Sequence, residues 1–219
     1  MVSIEDAQRT ILEYVTPLGS EKVPLFHGLN RITPQDHIAP WDIPPTDNSA
    51  MDGYAFSHAA LVSNHLRVNG FLPTGGTRTI PVLPGETIKI MTGAPMPPDC
   101  DTVVPIEDVI VENDSIWLTS SIKAGSHVRK RGEDVQRGNV VITGGTLLRP
   151  QEIGLLSAMG TTAIAVYQKA KIAILATGNE LLEPDSSPVT GKIINSNSYA
   201  LAAQVLDSGG GAIALGNRS

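Results

Sequence analysis

Pro34, Pro40, Pro44 and Pro45 crowd one short stretch, "PQDHIAPWDIPP". Each proline fixes its own φ, lacks an N–H to donate and pushes the residue before it towards extended backbone. Neither a helix interior nor a central strand can run through such a stretch. It is expected to cross in extended form between two bodies, and the sequence on its two sides differs accordingly. On the N-terminal side, Ser3 to Val15 has helical spacing, with Ile4, Ala7, Ile11, Leu12 and Val15 on one face. Ser3 stands where an N-cap is needed, with Asp6 three residues on, and Pro17 and Gly19 end the run.

Beyond the prolines, from Met51 to about Val141, the texture is that of short strands. "TIKIM", "DTVVPIEDVIV" and "SIWLT" are strand-like, and "PGE" at Pro84 to Glu86 and "END" at Glu112 to Asp114 are turns between them. "RPQEIGLLSAMG", Arg149 to Gly160, returns to helix, with Pro150 near its start. At Lys171 the pattern changes again. "KIAILATGNELL" reads as a buried strand followed by a polar turn, "SNSYALAAQVLDSGG" as a helix capped by Ser196 or Asn197, and "GAIAL" as the next strand. That is the opening of a parallel α/β layer. Two strands and a helix leave sheet edges unpaired, so the chain is expected to be cut inside a domain. The alternative is that this piece packs on the β-rich body as an appendage.

Hydrophobic residues make up 41% of the 219 and mean hydropathy is near zero, which supports packed cores rather than disorder. The net charge of −6 argues against a general nucleic-acid binder, while leaving room for a local basic pocket. A single cysteine, Cys100, rules out an internal disulfide and is compatible with a reducing compartment. The five histidines are scattered and form no zinc-spaced set with it. No N-terminal leader pattern and no apolar run near the ~20 residues of a membrane span is visible. The expected setting is cytoplasmic, with no nucleic-acid or membrane partner.

Four polar clusters stand out: Asp47-Asn48-Ser49 with Asp52-Gly53; "MTGAP", Met91 to Pro95; "HVRKRGED", His127 to Asp134; and "TGNE", Thr177 to Glu180. Each has a plain structural alternative. Asp52-Gly53 can be a turn, "TGAP" a strand exit, "RKRGED" a self-neutralised charge run and "TGNE" a loop whose glycine serves a turn. Taken together they suit one chemistry. Carboxylates are hard ligands for Mg²⁺, which is usually shared with substrate phosphates, and Arg and Lys neutralise oxyanions. Loops after parallel strands, at helix N-termini, favour anions as well.

"DNSAMDGYAF", "IMTGAPMPPDCDTVVPIED", "VRKRGEDVQRGNVV" and "ILATGNEL", in this order and spacing, closely resemble the molybdopterin molybdenumtransferase (MoeA) family, which includes the E domain of gephyrin. The resemblance implies an α+β, multi-domain chain. It implies an elongated helix/strand linker domain (1–45 and 135–168), a β-rich domain (46–134) and the truncated start of an α/β (βαβ) molybdopterin-binding domain (169–219). It implies insertion of molybdate into adenylylated molybdopterin with release of AMP, assisted by Mg²⁺ or a similar divalent cation, in a homodimer. By motif position, Asp52, Thr92, Asp134 and Glu180 would be catalytic, and Ser49, Arg129, Arg131 and Gly178 would bind substrate. Asp52, Asp134 and Glu180 would be metal ligands. The first stretch is then a functional loop in which Gly53 permits a turn, Asp52 presents its carboxylate, and Tyr54 and Phe56 anchor in the core; in the basic stretch, Lys130 is expected on a solvated face.

Family motifs that follow the α/β opening, and a C-terminal β-barrel, have no counterpart in the 219 residues. The chain is therefore expected to be inactive alone. The rival readings are a non-catalytic dimerisation or scaffold fragment, one half of a split enzyme whose other chain carries the missing part, and a small-molecule phosphotransfer protein on the same β-rich platform.

Overall fold

The computed structural model describes residues 2–76 and 81–218. The fold is mixed α+β, mostly strands with three α-helices among the described residues. The first segment holds α1 (Ile4–Glu13) and β1 (Ser20–Pro24). The middle holds β2 (His37–Ile38), β3 (Asn48–Ser49), β4 (Gly53–Phe56), β5 (His65–Leu72), β6 (Glu86–Ile90), β7 (Thr102–Pro105), β8 (Val109–Glu112), β9 (Ser115–Leu118), β10 (Val128–Arg129) and β11 (Val140–Ile142). The last holds α2 (Pro150–Ala158), β12 (Ala163–Tyr167), β13 (Lys171–Thr177), β14 (Leu181–Leu182), β15 (Ile193–Ile194), α3 (Asn197–Asp207) and β16 (Gly211–Arg218). Two compact units result: Met1–His37 with Ile142–Ser219, and Ile38–Val141. The proline-dense stretch carries the chain from one unit into the other.

In the unit Ile38–Val141, six strands form one sheet in the order β7-β4-β6-β5-β9-β8. Only β5 and β6 run parallel; the other neighbours are antiparallel. The alternation of strand side chains gives each face its own core. Ala55, Leu72, Ile88, Ile90, Ala94 and Val103 pack on one side, and Tyr54, Phe56, Leu66, Val104, Ile116 and Leu118 on the other. Burying a side chain of the Ile, Leu or Phe class is worth about 1.5–3 kcal/mol each, so the sheet is held from both faces. The outer edge of β7 is closed by a loop: the Val103 N–H donates to Ser126 O (3.0 Å) and the Gly125 N–H to Thr102 Oγ1 (3.1 Å).

The stretch 47–56 is not a loop throughout. Gly53 to Phe56 form β4, paired with both β6 and β7 and buried along its length, with Tyr54 and Phe56 in the core as expected. Gly53 has a different task from the expected one. Its backbone is not in the left-handed region. A Cβ there would overlap the Val104 carbonyl and lie 3.1 Å from Pro105 Cα. Close approach of β7, not a turn, excludes a side chain.

In the other unit, β1 and β12 form an antiparallel pair. Arg31 Nη2 donates to Tyr167 O (2.6 Å) beside this pair. Helix α1 is capped as expected, the Ser3 hydroxyl accepting from the Asp6 N–H at 3.0 Å. Its apolar residues Ile4, Ile11 and Leu12 are exposed. The β-loop-α-β piece forms, β13 pairing in parallel with β16 and α3 packing against both. Two sequence expectations change here. The "KIAILAT" run is not a buried strand: Ile174 alone is buried, because β13 has one strand neighbour. Ser196 stands at the N-cap position of α3, one of the two expected, but its side chain makes no capping hydrogen bond. The Ser198 N–H donates to the side-chain oxygen of Asn195, which is 5% exposed. Gly209 takes the left-handed C-terminal position at φ 83. Among the described residues no helix is long and apolar enough to cross a membrane.

Candidate functional site

Strand β3 organises the site, although it is two residues long. On one side it pairs with β10, Asn48 opposite Arg129 and Ser49 opposite Val128. On the other side it bridges to Pro95, the Ser49 N–H donates to Ala94 O (3.0 Å) and the Gly93 N–H donates to Ser49 O (2.8 Å). Three motifs distant in sequence therefore meet as one narrow strip. Ser49 is buried and its hydroxyl donates to Met51 O at 2.6 Å. It braces the bend that carries Ala50, Met51 and Asp52 out of the strip.

Asp52 stands exposed at the end of that bend. Its Oδ1 accepts from the Thr92 hydroxyl (2.6 Å) and from the Thr92 N–H (2.7 Å). These two bonds, the hydroxyl first, hold the Asp52 carboxyl below the ordinary carboxylate range. Thr92 follows β6, and its own carbonyl is held by the Thr74 hydroxyl at 2.7 Å. Oδ2 of Asp52 has no hydrogen bond among the described residues. Asp52 and Thr92, forty positions apart, are in direct contact.

The basic loop after β10 is clamped by acids. Arg129 Nη2 reaches both oxygens of Asp134 at 2.6 Å, and both side chains are about half exposed. Lys130 is solvated, as expected, but it is also paired: its Nζ lies 2.9 Å from Asp47 Oδ2. The Arg131 N–H donates to Asp47 Oδ1 (2.8 Å), and Arg131 Nε donates to Asp42. Asp47 is held below the ordinary range chiefly by Lys130, and Asp42 chiefly by the Arg137 N–H and then by Arg131. Asp42 was not among the expected site residues. The one signal for it is an acid set between prolines in "PWDIPP", where a carboxylate has a stiff backbone to act from.

Glu180 and Gly178 belong to the other unit. Gly178 sits at φ 146, where a side chain would be strained, and the Glu180 carboxylate folds back over it. Glu180 is exposed, and its carbonyl accepts from the Ile193 N–H at 2.8 Å. Lys192 Nζ caps the neighbouring Asn179 carbonyl.

The strip offers an ionised carboxylate with one oxygen uncommitted, a threonine hydroxyl and three cations. Among the described residues no group of three or more His, Cys, Asp or Glu side chains is placed to hold a metal ion. Asp134, one of the expected ligands, has both oxygens on Arg129. Asp52 keeps one oxygen without a hydrogen bond among the described residues, which suits the usual Mg²⁺ arrangement of one protein carboxylate with the remaining positions left to water and substrate phosphate.

Residues 2–160 match the family described as "MoeA N-terminal region (domain I and II)". The chain is 33% identical over 220 residues to "Molybdopterin molybdenumtransferase 2" of Mycobacterium tuberculosis, covering 98% of this chain and 54% of that protein. It is 33% identical over 226 residues to "Molybdopterin molybdenumtransferase" of a Nostoc species, covering 99% and 52%. The crystal structure of the molybdopterin biosynthesis moeA protein from Pyrococcus horikoshii OT3 superposes with a TM-score of 0.91 at 32% identity, over 100% of this chain and 60% of that one. The chain spans about half the length of the curated relatives it matches.

Proposed function

The chain belongs to the MoeA family, and from that membership we propose that it serves molybdenum cofactor biosynthesis by supplying part of a molybdopterin molybdenumtransferase site. The reaction is insertion of molybdate into adenylylated molybdopterin with release of AMP. The observation that carries this reading is the contact of Asp52 with Thr92 on the same strip as the basic loop. Asp52 and Thr92 form the reacting edge. Arg129 and Arg131 take the anionic groups of the substrate, with Ser49 holding the bend in shape. Asp134 sets Arg129, and Glu180 and Gly178 are proposed as catalytic and substrate-binding residues of the α/β opening. Asp52 would hold Mg²⁺ where that ion is used, and the ion would offset charge on the substrate phosphates. Asp134, a second proposed ligand, is free for the ion only after it leaves Arg129, which holds both its oxygens; Glu180 is a proposed ligand of the α/β opening.

The same proposal divides the chain into a linker body (1–45 and 135–168), a β-rich body (46–134) and an α/β opening (169–219). It takes the working form to be a cytoplasmic homodimer. The test is AMP release from adenylylated molybdopterin with molybdate and Mg²⁺. The 219-residue chain alone is expected to be inactive. Adding a polypeptide that carries the remaining part of a longer relative is expected to restore turnover. Full turnover by the chain alone would refute the partial site, and silence of the mixture with both parts folded would favour the scaffold reading.

A further inference from the structure

Asp42 has no part in the reaction as proposed above, yet it is the most deeply set of the three aspartates that pair with the basic loop. Its side chain is 16% exposed, against 65% for its partner Arg131. Its two oxygens do different things. Oδ1 accepts the Arg137 N–H at 2.8 Å, which ties down the far end of the loop. Oδ2 accepts Arg131 Nε. Gly132, at φ 71, turns the loop back so that its N–H reaches Pro44 O at 3.0 Å, and a Cβ there would lie 3.5 Å from the Asp42 carboxyl. The Arg131 N–H is held in turn by Asp47. Backbone and Nε of Arg131 are thus both fixed, while its terminal nitrogens have no partner among the described residues.

We infer that Asp42 is a positioning residue, which grips Arg131 by Nε and leaves its two terminal nitrogens facing outward as a preset fork for a phosphate-class oxyanion. The inference rests on the reading of Arg131 as a substrate contact. A guanidinium presents its donors in one plane, and an arginine already held in place loses less freedom when it binds. A lysine at this position could carry the charge without the fork. Asp42 also carries a negative charge that repels an anion. Orientation and charge therefore act with opposite signs, and this separates them experimentally.

The 219-residue chain is titrated with inorganic pyrophosphate by calorimetry as the parent, Asp42→Asn, Arg131→Gln and the double variant. Asparagine keeps an oxygen for the Arg137 N–H, so the loop retains its tie. Arg131→Gln is expected to weaken binding about tenfold, the equivalent of one hydrogen bond to a charged group. Asp42→Asn is expected to weaken binding about three- to tenfold in the parent, which is part of that same bond, and to leave it unchanged or tighter in the Arg131→Gln background. An equal change in both backgrounds, or tightening in both, overturns the positioning role. Arg131→Lys should bind as weakly as Arg131→Gln, and parent-like affinity would show that charge suffices without a fork. The Arg131 Nε–H should exchange slowly with water in the parent, and fast exchange overturns the clamp whatever the variants do. If Arg131→Gln has no effect, or the parent binds no pyrophosphate, the reading of Arg131 as a substrate contact falls as well.

Discussion

Gly53 lacks a side chain because the carbonyl of Val104 occupies the place where a Cβ would stand. Gly53→Ala must push β7 away from β4, and overpacking of this kind costs about 1–3 kcal/mol. A lowered midpoint in urea denaturation is expected; an unchanged midpoint would mean that β7 yields without cost. Asp52, Asp47 and Asp42 are all held below the ordinary carboxylate range, and Glu152 is lowered from 4.5 to about 2, first by the Arg149 side chain. A carboxyl with a depressed folded value stabilises the fold fully above its unfolded value and loses that contribution as pH falls through the folded value. For Glu152 the window runs from 4.5 down to about 2. Thermal midpoints are therefore expected to fall across that window, with a shallower fall in Glu152→Gln. A parent profile flat to the bottom of the window would contradict the pairings. At the proposed reacting edge, Asp52→Asn is expected to lower AMP release in the complemented assay about a hundredfold or more, the usual scale for loss of a charge-stabilising group. A loss under threefold would remove Asp52 from the machinery.

The elements vary in how plainly their residues announce them. Helices α1 and α2 follow from spacing, a capping Ser3 and Pro150 at the first turn. The β8–β9 hairpin follows from "END", where Asn113 takes φ 52. In α3 the helix and its N-cap position were legible, and the side chain that bonds the first turn was not. The sequence offers Asn195, Ser196 and Asn197 in a row, and only the path of the chain decides which side chain faces the first free N–H. Asn195→Ala is expected to cost about 1 kcal/mol in that first turn. This should appear as amide exchange at Ser198 roughly fivefold faster, by the usual conversion. Ser196→Ala should leave it unchanged, and the reverse result would put the cap where the sequence alone suggested. In the stretch 47–56 the polar half masked a strand. Tyr54 and Phe56 read as anchors, but four residues are too few for a period to emerge, so β4 became evident only through its pairing with β6 and β7.

The unit Ile38–Val141 enters and leaves by adjacent points, the Ala39 N–H donating to Asn139 O and the Gly138 N–H to Ala39 O, both at 2.9 Å. It holds both cores of the six-stranded sheet and the whole strip from Asp42 to Asp134. Residues 38–141 expressed alone are therefore expected to unfold in one cooperative transition and to bind pyrophosphate within about threefold of the full chain, as closed domains keep local sites. A molten, non-cooperative fragment would show that the two units depend on each other. The sequence by itself determined the proline break, the helices, most of the strand signals and the family, because each rests on local backbone preference or on motif order. It also singled out the polar clusters that hold Asp52, Thr92, Arg129 and Asp134. Only the tertiary structure decided who touches whom: Asp52 with Thr92, Asp134 with Arg129, Asp47 with Lys130, Asp42 with Arg131, and β7 against Gly53. The partners in most of these contacts lie forty or more positions apart, and Asp134 could as well have faced solvent or a metal. A charged side chain takes whichever partner the folded backbone brings within hydrogen-bonding reach, and that choice is made by strand pairing across the whole unit rather than by neighbours in the chain.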